Sequence, residues 1–475
     1  MVGFRGLINT MARVLPEVRK PMKRVSLTEK LVWTFLALAI YVFMSETWLY
    51  GYQTRTTPGQ GSPLLLSIVF ASRIGTLTTL GIGPIVTAGL ILQLLQGADI
   101  IKLDLSKPED RGLFTSASKI FTIAMTLFQA GAYVSTGYFG VVDPFLAAVI
   151  FMQLVGATVV IMLLDELLQK GWGLGSGISL FIVAGVALNI VWSLLSPIEP
   201  FGAGTGFQGL LLAIGQTIAS GKGIESLVYR GQFPDLVGLA STTLVMIAII
   251  YLESTKIEIP ISYAKYSGYR AKYPIKLLYV SNVPVIFAST IFANIYYISS
   301  LLWNNYNRSN TNFFLNLIGR FNATEGGQPQ PLSGLAYYTT SPRTLTGVAE
   351  DPVRALMYLA FMVVLSLAFS ILWVEIGGLG SSRVAQQLVD AGMQVPGFRR
   401  SEGIIARVVD RYINVVTVLG GIFIGLIAGL ADFFNVFGSG IGILLMVGIL
   451  YQYYELLVRE RVTEMYPALG RILGR

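Results

Sequence analysis

The chain has 475 residues, 53% of them hydrophobic and 13% charged, with a formal net charge of +8 and a mean hydropathy of +0.65. That composition belongs to a polytopic membrane protein rather than a soluble domain. There is no cysteine and no histidine, which excludes disulfides, thiol chemistry, imidazole acid–base catalysis and His or Cys metal ligation. No Walker A, His-Glu-x-x-His or serine-nucleophile motif is present either, so no catalytic site, metal or cofactor is expected.

Residues 1–30 are polar and basic, with Phe4, Leu7, Ile8, Met11, Val14 and Leu15 at helical spacing. They read as a cytoplasmic amphipathic segment lying on the membrane. The first apolar run comes late, is long and lacks a small-residue cleavage pattern, so no cleavable leader is expected. A first span follows at 31–50, with Trp48 and Tyr50 as interface anchors.

Residues 63–96 are apolar but wrong for one plain helix. Continuous, they would make a rod of roughly 51 Å against a hydrocarbon core of about 30 Å. Gly75 and then Gly81-Ile-Gly83-Pro84 break the run, because proline lacks an N–H and restricts the residue before it. The first piece, 63–74, is too short to cross and carries Arg73. The pattern predicts a segment dipping into the membrane, a glycine bend, and a short helix over 82–96. Irregular backbone at that depth needs protein or a cavity around it. Further apolar runs lie at 115–137, 143–164, 177–195, 236–253, 279–302, 352–374, 411–431 and 437–456, giving ten spans.

With the N-terminus cytoplasmic, both termini share that side. The cytoplasmic segments then hold 26 of the 34 Lys and Arg, the opposite side 8, in keeping with the positive-inside bias. Two glycosylation triplets, at Asn307 and Asn322, fall in the outer loop 303–351. Ten spans divide into halves at 31–195 and 236–456, joined by a glycine-rich external hinge at 196–235. A cytoplasmic tail at 457–475 completes the chain. An inverted repeat suits that count.

Mid-span polar residues are neutral (Thr87, Gln129, Asn294, Thr417), whereas Glu46, Asp165, Asp432 and Glu455 sit near span ends. Ion-coupled carriers keep ionisable groups near mid-membrane, so a secondary transporter for a small solute is the weaker reading. Ile82 and Val86, and again Ile178 and Ile182, stand four apart on one helix face; ordinary core or lipid-facing aliphatics fit that spacing too. The run Gly171–Gly177 opens a span without a preceding strand, so it reads as a close-packed or flexible helix start rather than a nucleotide loop. Loop 254–278 alternates apolar and polar residues, which predicts a hairpin in water. It and loop 375–411 are basic, as loops beside a membrane or against ribosomal RNA would be.

Several stretches carry a resemblance. They are 71–89 (ASRIGTLTTLGIGPIVTAG), 272–286 (KYPIKLLYVSNVPVI), 292–295 (FANI) and 397–402 (GFRRSE). Together, across essentially the whole chain, they resemble the SecY family of protein-conducting channels in its archaeal form. The resemblance implies an all-α polytopic membrane protein, with ten transmembrane helices in two pseudo-symmetric, inverted five-helix halves around a central hourglass pore. A short re-entrant helix would plug that pore: Leu64, Leu65, Leu66, Ser67, Ile68, Val69, Phe70, Ala71, Ser72, Arg73 and Ile74. It places a pore ring at Ile82, Val86, Ile178, Ile182, Ile286 and Leu445, and a lateral gate lined by Thr87, Gln129 and Asn294. The family often has an acidic residue where Gln129 stands. Ribosome docking falls to Lys265, Arg270, Lys272, Arg399 and Arg400. The implied function is passive, partner-driven passage of unfolded polypeptide across the cell membrane, with lateral release of transmembrane segments. The implied partners are a SecE/gamma subunit, a SecG-like beta subunit, the ribosome, signal sequences and nascent polypeptides, and membrane lipid.

Overall fold

The computed structural model describes residues 15–23, 25–51, 72–73, 75–97, 100–101, 107–135, 143–197, 207–221, 223, 225–230, 233–263, 270–280, 282–322, 329–390, 392–394 and 402–465. Among them run ten helices of fifteen residues or more. They are α1 (Leu27–Glu46), α2 (Gly83–Gly97), α3 (Pro108–Ser135), α4 (Pro144–Leu167), α5 (Gly177–Leu195), α6 (Leu236–Ser254), α7 (Val283–Tyr306), α8 (Pro352–Ile376), α9 (Glu402–Phe433) and α10 (Gly440–Met465). Eight are long and apolar enough to cross a membrane. The other two are α2, apolar but 15 residues long, and α3, which opens on Glu109, Asp110 and Arg111. The apolar runs thus locate the helices. They miss polar extensions such as the nine residues by which α9 starts before 411, because a helix continues into water wherever capping and packing allow.

The chain forms two compact units. One comprises Met1–Leu212, Thr290–Thr340 and Ile449–Arg475, the other Ala213–Ser289 and Ser341–Gly448.

In the first unit, Ser26 and Glu29 form a reciprocal capping box that starts α1. Tyr41 of α1 stacks on Phe181 of α5, ring centroids 4.5 Å apart. Leu92 of α2 packs on Leu113 and Ala117 of α3. Below the α4 end, Glu166 is buried between two cations, Lys119 at 2.5 Å and Lys170 at 2.9 Å, and accepts the Val18 N–H at 3.3 Å. Lys170 also pairs with Glu17 at 2.5 Å; that ammonium holds the Glu17 carboxyl below its ordinary value. The cluster fastens the N-terminal segment to the helix ends.

In the second unit, α8 and α9 approach closely along Gly421, Gly425 and Gly429. A Cβ at Gly425 would stand 2.7 Å from the Val363 Cα. Small residues let backbones meet where lipid supplies no hydrophobic drive. The basic loops fold together: β1 (Lys256–Tyr263) and β2 (Arg270–Lys276) make the expected hairpin, and β3 (Met393–Gln394) of the later loop adds a third strand to β1. Ile259 and Ile275 of this sheet pack on Val384 and Leu388 and on Ile405 and Val409 of α9. These strands lie between spans, so the membrane-crossing part is helical, as expected.

Candidate functional site

The broken stretch after α1 is tied down by backbone. Leu49 N–H donates to Gly75 O at 2.9 Å and Leu77 N–H to Thr47 O at 3.0 Å. Thr76, Thr78 and Thr79 are buried and bond among themselves and to Arg73 O. Irregular backbone here satisfies its polar groups within protein, the condition for tolerating it at membrane depth. Of the expected plug, Ser72 is buried and donates to Thr79 O at 2.7 Å. Arg73, costly if bare in lipid, pairs with Glu46 and lies 6.0 Å from the Trp192 ring. Leu64 through Ala71, and Ile74, lie outside the described residues.

From that bend the chain enters α2. Ile82 just precedes the helix and is 0% exposed; Val86 is buried and donates its N–H to Ile82 O at 3.0 Å. Ile178 is the second residue of α5 and half-buried, and Ile182 is buried one turn on.

The start of α5 is built with unusual care. Gly171 and Gly175 take left-handed φ of +100° and +63°, which L side chains resist. A Cβ at Gly177 would meet the Asp165 backbone at 2.7 Å, so glycine alone permits the approach. Asp165 accepts the Ile178 N–H at 3.0 Å, Gln169 Nε2 at 2.8 Å and Ser176 Oγ at 3.4 Å. Tyr453 OH donates to the carbonyls of Ser176 (2.7 Å) and Leu174 (3.1 Å), while Thr34 Oγ1 accepts the Leu174 N–H at 2.9 Å. The close-packed alternative for the glycine run is therefore the correct one. Asp165, Tyr453 and Thr34 are positioning residues that sequence reasoning missed. Their only signal was a carboxylate shortly before a glycine-rich helix start.

In the second unit, Ile286 is half-buried in the first turn of α7, and Leu445 is 0% exposed on α10. Asn282 touches both: its carbonyl accepts the Ile286 N–H at 3.2 Å and its Nδ2 donates to Leu445 O at 3.5 Å. Gly448 makes room for it, since a Cβ there would collide with Asn282 Nδ2 at 2.1 Å.

Back in the first unit, two of the three residues expected at the gate, Thr87 and Asn294, meet. Asn294 Nδ2 donates to Thr87 Oγ1 at 3.4 Å and to Thr290 O at 2.8 Å. Tyr297 OH donates to the Gln129 carbonyl at 3.2 Å and its ring lies 5.1 Å from that of Tyr133. So α2 and α3 touch one face of α7, and Gln129 takes part through its backbone. Of the residues expected to dock a ribosome, Lys272 is exposed on β2 and pairs with Glu258. Arg270 lies on the same strand, and Lys265, Arg399 and Arg400 lie outside the described residues.

A sequence model of SecY matches residues 76–454. The chain belongs to the SecY family. The protein translocase subunit SecY of Pyrococcus furiosus is 41% identical over the full length of both chains. A solved structure described as "The structure of a protein conducting channel" superposes with a TM-score of 0.80 at 36% identity, covering 96% of this chain and 98% of that one. Sec61 in the canine ribosome-channel complex from the endoplasmic reticulum gives 0.77 at 35% identity, over 96% and 98%. This SecY-family chain thus spans the whole length of those relatives.

Proposed function

We infer that this chain is the central subunit of a protein translocation channel, passing unfolded polypeptide across the membrane and releasing transmembrane segments sideways into lipid. The observation that carries the reading is the full-length kinship to SecY at 41% identity. The bend, glycine start and polar contacts described above give the mechanism its parts. No observation favours the small-solute carrier.

In this mechanism Ile82, Val86, Ile178, Ile182, Ile286 and Leu445 form an apolar constriction. An ion crossing it loses hydration, whereas an extended chain pushes flexible side chains apart. The segment 64–74 plugs the pore, and the backbone just after it, held at Gly75 to Leu49 and at Leu77 to Thr47, gives it a fixed hinge. The Thr87–Asn294 and Gln129–Tyr297 contacts are the gate's latch. Each is a neutral hydrogen bond of modest strength, so a hydrophobic signal helix entering there displaces them and shifts the closed–open equilibrium. Lys265, Arg270, Lys272, Arg399 and Arg400 dock a ribosome with both termini cytoplasmic. A SecE/gamma and a SecG-like beta subunit complete the complex.

The test is site-specific photocrosslinking from Ile182 in native membranes carrying a ribosome-arrested secretory chain. A crosslink lost on deleting the signal sequence is expected. Its absence there and from Ile82 and Ile286, with ribosomes bound, sinks the ring assignment.

A further inference from the structure

The loop after α7 buries a small core of Trp303, Phe321 and Ala336, yet leaves a second set of large apolar groups on its surface. The short helix Phe313–Ile318 leaves Phe313, Phe314 and Leu317 exposed at 70%, 76% and 57%. Gly334, at φ +88°, lies against the Asn316 and Leu317 carbonyls, and exposed Leu332 and Leu335 stand beside it in the chain.

Three asparagines, Asn307, Asn310 and Asn316, are instead tied into the loop's packing. Asn307 is 1% exposed; its Nδ2 donates to Asn316 Oδ1 at 2.8 Å and its Oδ1 accepts the Asn312 N–H at 3.0 Å. Asn316 Nδ2 donates to Asn310 O at 2.9 Å. Asn310 accepts from Trp303 Nε1 at 3.0 Å and donates to Phe321 O at 3.1 Å. Water does not select a surface cluster of Phe313, Phe314 and Leu317, and a lipid surface does. The Asn307 glycosylation triplet is consumed by this packing; Asn322 is exposed.

The depth of the loop agrees. Ser299 Oγ donates to Ile318 O at 3.5 Å, and Tyr296 OH donates to Pro329 O at 2.7 Å. Ser299 lies seven residues before the α7 end at Tyr306, roughly 10 Å back along the helix. The loop therefore lies alongside the last turns of a membrane-crossing helix instead of above them. Exposed Tyr306 is an interface anchor by type. Arg308 and Arg320 are exposed and make no ion pair among the described residues, which leaves both for lipid phosphates.

We propose that Phe313–Ile318, with Leu332 and Leu335, is an interfacial anchor inserted into the bilayer leaflet at the C-terminal end of α7. It stakes α7, the helix carrying Asn294 and Tyr297, to lipid at that end.

The absence of native cysteine makes the test clean. Phe314→Cys and, separately, Leu332→Cys are labelled with an environment-sensitive fluorophore in the full-length complex. The complex is reconstituted in phosphatidylcholine–phosphatidylglycerol vesicles, with Glu258→Cys as the aqueous control. A nitroxide lipid bearing its quencher near the top of the acyl chain is expected to quench positions 314 and 332 several-fold more than position 258, with aqueous iodide showing the opposite order. Iodide quenching without lipid quenching at both positions places the patch in water or an aqueous funnel and overturns the proposal. Protection from both quenchers means a protein covers the patch, and overturns it equally.

Discussion

Asp165→Ala tests whether the constriction is set by the start of α5. The substitution removes the acceptor for the Ile178 N–H (3.0 Å), Gln169 (2.8 Å) and Ser176 (3.4 Å). Gln169 and Ser176 can turn elsewhere; the Ile178 N–H cannot, being fixed in the first turn. A buried donor left without a partner costs about 1–3 kcal/mol, and losing a helix cap about 0.5–2 kcal/mol. Both figures describe the same N–H, so about 2 kcal/mol is the working value. At 1.4 kcal/mol per decade this is about a thirtyfold shift toward states in which α5 has moved. Ile178 and Ile182 move with it. Resting ion current of the purified complex in planar bilayers is therefore expected to rise by about that factor. Asp165→Asn keeps one carbonyl acceptor and should leak less than tenfold. An Asp165→Ala channel that folds, assembles and stays as tight as the parent refutes the reasoning, because a merely structural Asp165 changes stability without changing current.

Replacing both Ile178 and Ile182 by Gly should leave assembly intact and raise resting conductance; unchanged current in the same bilayers counts against their place in the ring. Gly425→Ala should destabilise the second unit by about 1–3 kcal/mol through overpacking, since its Cβ meets the Val363 Cα at 2.7 Å. Gly156→Ala in α4 meets nothing within 4 Å and should stabilise by about 1 kcal/mol from helix propensity; thermal unfolding in detergent compares the two, and equal shifts remove the packing argument. Lys272→Glu should weaken binding to ribosomes and flatten its salt dependence by about one unit of slope, leaving the melting temperature alone because its Glu258 partner is exposed.

Span positions were legible because apolar length is a one-dimensional signal. The broken stretch was legible because Gly83-Pro84 forbids a continuous helix. The β1–β2 hairpin was legible from alternation, but its third strand was not. β3 comes from a loop more than a hundred residues away, and a two-residue strand has no periodicity to read. The Ile82/Val86 and Ile178/Ile182 pairs were visible as spacing, yet spacing could not separate them from ordinary aliphatics, and only the family resemblance proposes them for a pore ring. The positioning shell was invisible. Nothing in the identity of Asp165 or Tyr453 says that one faces the Ile178 amide and the other two carbonyls across 277 and 279 residues. Asn307 is the opposite case. Its triplet was readable, while the packing that buries it was not.

The placement of the buried acids decides between channel and carrier more firmly than their number. Asp165 holds the first turn of α5. Asp432 accepts the Gly440 N–H at the start of α10 at 2.6 Å and the Tyr358 hydroxyl at 2.8 Å. Glu166 is neutralised by two lysines. Each of these three carboxylates sits near a helix end; Asp165 and Asp432 cap helix starts, the use that a helix N-terminus favours, and Glu166 is held by fixed cations. A coupling ion or charged solute would have to displace those partners and leave a helix start uncapped at every cycle. A polypeptide asks for none of this. It needs an apolar seam that parts and recloses, with rigid helix starts on which the seam can reset, and Asp165 and Asp432 are placed to supply those starts.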